Sequence, residues 1–375
     1  MDYDVIIAGG SFAGLAAAVQ LRGKHILLVE PHAIGAVQTS ACGTLLAVLE
    51  ATGTMDSLLQ VHDRLIIHLK NNVYEYPLPY PFCTFDYRTF CYHLWNQAQV
   101  ELLHASVLGH RGHLVYTTKG VFDAEILIDA TGWRAELATN ARQRAESHTG
   151  KSFGLEAVLL VKERGLHFYY DKQEFGAFNV GWLFPSGAFS RAGLGSYRGL
   201  AHLGTALKDF TVNHFENSPS SFHGGYWSYR RQPATNGRVL RVGDAAGQCL
   251  PLTGEGIRPA LYFGAVAGNL ARRTLDGEMR ASEASRAYQS ADKRQLAIAH
   301  RLLLTAQQII PGLPMQWIGE LAHFLSQPRR LDLIWRQYWE IISPDRLAQL
   351  WPGRQFGLES LALPQSDFQV QDRSL

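Results

Sequence analysis

The residues best placed to do chemistry begin near the start of the chain. In Asp4-Val-Ile-Ile-Ala-Gly9-Gly10-Ser11-Phe12-Ala13-Gly14 an apolar run turns at Gly9 and enters a stretch of small residues, and Glu30 closes a second apolar run, Ile26 to Val29, 21 residues after Gly9. That order reads as a strand, a phosphate loop, a helix and a second strand. A dinucleotide diphosphate needs this layout because its oxygens must reach backbone N–H groups at a helix N-terminus, where the helix dipole also favours an anion. Gly9 gives the tight turn, Gly14 and the alanines after it allow close packing, and Glu30, with Pro31 beside it, stands where a ribose hydroxyl would donate. Ser11 replaces the middle glycine of the usual pattern, although its hydroxyl can itself donate to a phosphate, and Phe12 and Ala13 complete the loop. A glycine-rich match alone is also what a plain tight turn looks like; the flanking strand, helix and acid favour the dinucleotide reading.

A second constellation lies about 230 residues further on: Gly243-Asp244-Ala-Ala-Gly247-Gln-Cys249-Leu-Pro251-Leu-Thr-Gly254-Glu255-Gly256-Ile257. Asp244, at a strand end, could accept from a ribityl or ribose hydroxyl, and Pro251, Gly254 and Gly256 would lay backbone flat against a planar ring. A helix starting near Gly256 and Ile257 would aim its positive end at the N1 and C2-carbonyl edge of a flavin, stabilising the anionic reduced form that donates hydride. A strand-end turn followed by a helix start is the structural alternative, and the first motif weighs against it. Glu125-Ile-Leu-Ile-Asp129-Ala-Thr131-Gly132 reads as a further strand of the same parallel sheet, its turn adding Thr131 and Gly132 to the cofactor site.

These motifs must be carried by a large framework. The chain has 375 residues, 46% hydrophobic and 18% charged, enough for two packed domains and without a disorder signature. A net charge of +2 with scattered Lys and Arg argues against a nucleic-acid partner. No uncharged apolar run reaches the ~18 residues needed to span a bilayer, and the first strand leaves no room for a signal peptide, so the expected location is the cytoplasm. Cys42, Cys83, Cys91 and Cys249 have neither paired nor metal-type spacing, the 15 histidines show no metal pattern, and no metal is expected. The fold class is α/β: a Rossmann-like domain from residues 1–60, 86–150 and 233–281, an inserted antiparallel sheet from 61–85 and 151–232, and a helical C-terminal region, 282–375, with a turn-rich tail after Trp351. Leu65–Leu69 and Val73–Tyr76 suggest a hairpin around Asn71-Asn72, Pro77 to Pro81 a stiff connection, Thr44–Ala51 a helix, and Asp86 the cap of a helix from Tyr87 to Gln99.

The two motifs, their separation and the inserted sheet resemble FAD-dependent oxidoreductases of the para-hydroxybenzoate hydroxylase fold. Within that group the segment Gly243 to Ile257 is most similar to the geranylgeranyl reductase branch; the aromatic hydroxylases usually carry His where this chain has Gly247. Trp182-Leu-Phe184-Pro185 resembles that branch's WxFP signature, and Cys42-Gly43 resembles the Cys-Gly pair its members place near the flavin. The resemblance covers roughly residues 1 to 275. Val180 and Ala177 stand where the branch has Tyr and Pro, Gln38-Thr39-Ser40 where many members have a basic residue, and Asp129-Ala-Thr-Gly132 replaces the usual Asp-Gly motif.

The resemblance implies bound FAD and hydride transfer from reduced flavin to a carbon-carbon double bond of an isoprenoid or lipid-like, apolar substrate. Cys42 or a bound water would supply the proton, Cys42 could instead touch substrate, and Trp182 and Phe184 would line the substrate groove, against the alternative that thiol and aromatics are core. Glu255 would cap the following helix or relay a proton. No second nucleotide fold is visible, so NAD(P)H or ferredoxin would deliver electrons transiently. The apolar C-terminal helices, with Trp317, Phe324, Trp335 and Trp339, either pack on the body or touch a membrane surface. Alternatives are a flavin-dependent monooxygenase or halogenase acting on an aromatic substrate, and a cyclase that uses reduced FAD without redox turnover.

Overall fold

A computed structural model describes residues 1–38, 40–70, 72–137, 150–199, 202–236 and 238–352. The apolar run after the N-terminus forms β1 (Tyr3–Ala8), whose Val5 to Ala8 are wholly buried. It feeds α1 (Phe12–Gln20), buried at all nine positions, and then β2 (Ile26–Val29). Next come the short β3 (Gly43–Leu45), α2 (Leu46–Thr52), β4 (Leu58–Leu69), β5 (Asn72–Phe85) and α3 (Tyr87–Ala98). Asp86 caps α3 as the sequence suggests, accepting from Thr89 N at 2.8 Å. Strands β6 (Glu101–Leu103), β7 (Val107–Arg111), β8 (Leu114–Thr117) and β9 (Gly120–Asp129) follow.

The inserted segment holds β10 (Lys151–Leu159), β11 (Leu166–Tyr170), β12 (Asn179–Ser186), β13 (Phe189–Ser196), α4 (Gly204–Phe215) and β14 (His223–Ser228). The chain returns through β15 (Thr235–Asn236) and β16 (Val239–Arg241) to α5 (Ile257–Leu275). Four helices complete the described chain: α6 (Ala281–Ile309), α7 (Met315–Leu325), α8 (Pro328–Ile341) and α9 (Pro344–Leu350). The turn-rich tail expected after Trp351 falls outside the described residues from 353 on, as do Thr39 and Asn71.

The first sheet runs β15-β16-β9-β1-β2-β6, with β16, β9, β1, β2 and β6 parallel. Register places Ala8 opposite Val29 and Asp129, and Asp129 opposite Arg241. Four strands therefore finish on one level, and both glycine motifs start just beyond it, in the crevice where open parallel sheets bind ligands. Helix α1 is clamped between this sheet and α5. A β-carbon on Gly264 or Gly268 would strike the carbonyls of Ala13 and Ala17, so two glycines of α5 set the close approach of the helices.

The second sheet runs β14-β10-β13-β12-β11-β4-β5-β3. It is antiparallel except where β11 lies parallel to β4, because the β4–β5 hairpin comes from an earlier stretch of chain and joins the inserted strands at their far edge. That hairpin is longer than its sequence suggests. Pro77, Pro79 and Pro81 lie inside β5, where the pairing with β4 jumps from Arg64–Pro77 to His62–Phe82 and β3 reaches only Phe82 to Thr84. The missing N–H groups thus fall at a bulge and an open edge, the two places where a strand tolerates proline. The expected helix from Thr44 begins two residues later, because Gly43–Leu45 pairs with β5.

The C-terminal helices are fastened to this body by a buried ion pair. Arg258, 1% exposed, is gripped by Glu255 through both carboxylate oxygens and donates to the carbonyls of Tyr338 (3.3 Å) and Ile342 (3.1 Å), while Tyr338 OH donates to Glu255. Glu255 is therefore a structural tie between α5 and α8, in place of the helix cap or proton relay expected from its position.

Candidate active site

The loop from Gly9 to Gly14 is built by exclusion. Gly9 has φ +104°, and a β-carbon there would collide with the Ala130 carbonyl; one on Gly14 would collide with the Gly9 carbonyl. No side chain can stand between β1 and α1. Ser11 occupies the N-cap of α1 without capping it, and the first turn carries no acid, so the N–H groups at this helix start are left for an external acceptor. The Ser11 hydroxyl already has a partner, Tyr87 OH at 2.9 Å. The Phe12 ring packs edge-on against Phe85, Tyr87 and Phe90, which leaves its backbone and that of Ala13 to border the loop. Glu30 accepts from Gly10 N at 2.9 Å and from His32 N at 3.2 Å, holding its carboxylate at the loop mouth, with Pro31 exposed beside it.

The second motif meets the first directly. Gly243 faces the Ala13 side chain, 3.3 Å from where a β-carbon would stand. Gln248 accepts from Gly243 N at 2.7 Å and donates to Asp292 at 2.8 Å, so α6 braces the turn. Gly247 is fixed by space: a β-carbon there would run into the Arg230 carbonyl. Leu252, at φ +64°, is held by Gln307, which accepts from its N–H at 2.7 Å, and by Tyr197 OH, which donates to its carbonyl at 2.7 Å. That brace sets the path of Pro251 to Gly254. Gly256 is the uncapped N-cap of α5, beside Cys249 and Asp244, and Ile257 opens the helix. Asp129 organises the third turn: it accepts from Thr131 N (3.1 Å), Thr131 Oγ1 (2.6 Å) and Leu137 N (3.1 Å), setting up Gly132 at φ +67°.

These features fit FAD on their own terms. Two helix starts lack caps, glycine cradles exclude β-carbons, and the half-buried Asp244 carboxylate has, among the described residues, one long donor, Ser228 N at 3.4 Å. Burial pushes the Asp244 carboxyl up to about 7 against that single N–H, as expected for a group short of partners. A ribityl hydroxyl would complete it.

The substrate side is assembled by the second sheet. Trp182 on β12 and Glu156 on β10 both lie opposite Gly193, and Phe184 lies opposite Arg191. A β-carbon on Gly193 would overlap the Trp182 ring; Gly154 and Gly195 abut the rings of Trp182 and Trp227, at 3.0–3.5 Å from their virtual β-carbons. Three glycines thus form a trough in which the two indoles lie, and Trp227 continues to Gly254 of the cofactor loop at 3.7 Å. Trp182 Nε1 donates to Glu156 Oε2 at 3.0 Å, Gln38 Nε2 reaches Glu156 Oε1 at 3.4 Å and the Ser40 carbonyl at 2.7 Å, and His223 Nε2 lies 3.1 Å from Glu156 Oε1. Cys42, at φ +59°, sits in this loop; its N–H donates to Ser40 Oγ at 3.1 Å and its carbonyl accepts from Phe85 N at 3.1 Å. The ring of Phe184 covers Gly43, 3.2 Å from a virtual β-carbon.

The Cys42 thiol is fully buried, and burial pushes it up to about 12, with the neighbouring Arg191 guanidinium pulling the other way. Cys42, Trp182 and Phe184 therefore converge, as do the residues of the two glycine motifs. Sequence reading missed Arg191, Glu156, Trp227 and His223. Arg191 enters from β13, and only strand register brings it beside Cys42.

No family model matches the chain. The digeranylgeranylglycerophospholipid reductase 2 of Methanopyrus kandleri is 27% identical over 373 residues, 89% of this chain and 93% of its own length. The digeranylgeranylglycerophospholipid reductase of Methanocaldococcus jannaschii is 28% identical over 173 residues, 41% of this chain and 43% of its own. A geranylgeranyl bacteriochlorophyll reductase-like protein of Thermoplasma acidophilum superposes with a TM-score of 0.76 across 93% of this chain and 98% of its own, at 18% identity. The chain is an FAD-dependent oxidoreductase, similar to these reductases. Its fold is shared more widely: a flavin-dependent brominase superposes with a TM-score of 0.69 at 16% identity, covering 96% of this chain and 95% of its own. In this oxidoreductase the trough of Gly154, Gly193 and Gly195 and the Cys42-Gly43 loop lie on the second sheet, and Trp227 links the trough to the loop at Gly254.

Proposed function

We propose that this enzyme reduces a carbon-carbon double bond of an isoprenoid or lipid-like substrate. One observation carries the reading: Cys42, Phe184 and Trp182 converge, and Trp227 joins them to the cofactor loop at Gly254. FAD, when bound and reduced, supplies the hydride. The helix starts at Ser11 and Gly256 would hold its diphosphate and ring edge, Asp244 its ribityl chain and Glu30 its ribose, with Thr131-Gly132 and Pro251 bordering it. Trp182 and Phe184 exclude water and lie along an apolar chain. Cys42 keeps its proton throughout the neutral range and gives it to the alkene carbon that does not receive hydride.

Electrons come from NAD(P)H or ferredoxin docking transiently, since the described residues build one nucleotide-binding sheet. The substrate reaches the site from a membrane surface touched by α7 and α8, whose Trp317, Phe324 and Leu333 are 50–58% exposed and neighbour Arg329 and Arg330. No described helix is long and apolar enough to cross a membrane. The reading is supported by the two archaeal relatives named as reductases of geranylgeranyl lipids. Anaerobic titration of the reduced flavoprotein with a geranylgeranyl lipid tests it: stoichiometric reoxidation of flavin without oxygen is expected. Reoxidation by oxygen alone would favour the monooxygenase or halogenase reading, and turnover with no flavin oxidation the cyclase.

A further inference from the structure

Arg191 is a buried cation without an adequate partner. It is 4% exposed, and its Nε and Nη1 meet no acceptor. It lies on the same face of the sheet as Trp182 and Glu156, diagonal to Glu156 across β10–β13 and directly opposite Phe184. Glu156 carries the opposing charge, yet its oxygens are engaged by Trp182, Gln38 and His223, and no ion pair joins it to Arg191 within 4.0 Å among the described residues. The group beside the guanidinium is the Cys42 thiol. Burial works against the Arg191 charge, but the Cys42 and Glu156 neighbours hold its pKa above the ordinary arginine value, so it stays a cation. A guanidinium in a dry site, with donors unspent, is built for an oxyanion that arrives from outside.

Resting on the function proposed above, we propose that Arg191 binds an acidic oxygen of the substrate, and that the reduced double bond lies within two or three bonds of that oxygen. The proximity follows from geometry. An oxygen held about 3 Å from the guanidinium and a carbon within proton-transfer reach of Cys42 can be only a few bonds apart. A conjugated 2-enoic carboxylate and an allylic phosphate both meet this requirement; an isolated mid-chain alkene leaves Arg191 unpaired. In the carboxylate case the π bond breaks as two C–H bonds form. Hydride from reduced flavin goes to the β-carbon, the Cys42 proton goes to the α-carbon, flavin is oxidised by two electrons, and the thiolate recovers a proton from water.

The test uses the FAD-loaded protein with geranic acid, geranyl monophosphate and geraniol, which share one carbon chain. Binding is read from the flavin difference spectrum and reduction from anaerobic flavin reoxidation, with the reduced bond located by mass spectrometry. Wild type should bind one anionic probe at least about tenfold more tightly than geraniol, and reduction should fall on C2=C3; which anion prevails separates carboxylate from phosphate. Arg191→Met should bring the anionic and neutral probes within about twofold of each other while flavin content is kept. If Arg191→Met does not fold, Arg191→Gln serves. Equal affinity for all three probes in wild type, or an anion preference that survives in the variant, overturns the proposal. Arg191-dependent anion binding with no alkene reoxidising the reduced flavin would support this site and sink the reductase reading; reduction of all three probes alike would do the reverse.

Discussion

The carbonyl of Gly9 occupies the space that a side chain on Gly14 would need. This contact joins the end of β1 to the first turn of α1, and it makes the diphosphate cradle a matter of backbone shape. Gly14→Ala should push the helix start away from the strand, costing about 1–3 kcal/mol by overpacking and more if the turn at Gly9 cannot yield. The purified variant should lose its yellow colour, read as flavin absorbance per chain, before it loses its fold, read by far-UV circular dichroism.

Asp244 makes the ligand-free protein pH-sensitive. Its folded pKa, raised by burial to about 7, lies above its ordinary value of 3.8, so its contribution to stability is fully present below pH 4 and is lost as pH rises through 7. Flavin-free wild type should therefore lose Tm between pH 4 and 7 relative to Asp244→Asn, which cannot ionise. Bound flavin should flatten the wild-type curve, because a hydroxyl donating to the carboxylate stabilises its charged form. Parallel Tm profiles for the two flavin-free proteins would contradict this.

The parts of the site legible in the sequence are those that one stretch of chain completes by itself. Gly9, Gly14, Glu30, Asp244 and Gly254 sit in loops whose conformation is local, so residue type and spacing suffice. Arg191, Glu156, Trp227 and His223 come from three strands, and what brings them together is register: Gly193 lies between Glu156 and Trp182, and His223 opposite Glu156. No local pattern carries that information. Pro77, Pro79 and Pro81 misled for the converse reason, since a local signal for a connection was overridden by a bulged strand edge. Glu255 looked like a helix cap because its pairing with Arg258, three residues on, gains its meaning only from Tyr338, 83 residues away, which closes the tie to α8.

The Glu255–Arg258 pair is a test of how the C-terminal helices are held. Both groups are buried, and Arg258 also serves carbonyls of α8. Glu255→Gln removes one charge and leaves the other stranded, a change that costs about 3–5 kcal/mol in buried pairs. Urea unfolding should show the lower midpoint, and limited proteolysis should cut first between α7 and α9.

Cys42 should act as a proton donor without being ionised. Its thiol, pushed up by burial to about 12 from an ordinary 9.0, stays neutral across the working range, so Cys42→Ala should lower kcat for alkene reduction by about a hundredfold or more while flavin binding and substrate affinity change little. The sign for stability follows from the same shift: the contribution is complete below pH 9 and lost as pH climbs towards 12. The kcat profile of wild type should show no thiol inflection below pH 9. If Cys42→Ala keeps full kcat, the proton comes from water.

The outer faces of α7 and α8 offer the last test. Trp317 and Phe324 stand seven residues apart, on one stripe of α7, and Leu333 projects from α8 near Arg329 and Arg330; Arg330 also lies over the Phe324 ring, 3.5 Å from its centre. Exposed rings beside cations suit the interface of an anionic bilayer. Co-sedimentation with phosphatidylglycerol vesicles should fall at least about fivefold in the combined Trp317→Ser, Phe324→Ser, Leu333→Ser variant. Reduction of a short, water-soluble alkene should continue at the wild-type rate, because none of the three residues approaches Cys42 or the cofactor loops. Equal sedimentation of variant and wild type would mean that the helices serve only to pack against β5, where the Tyr80 and Trp339 rings already meet at a tilt, 4.2 Å between centres.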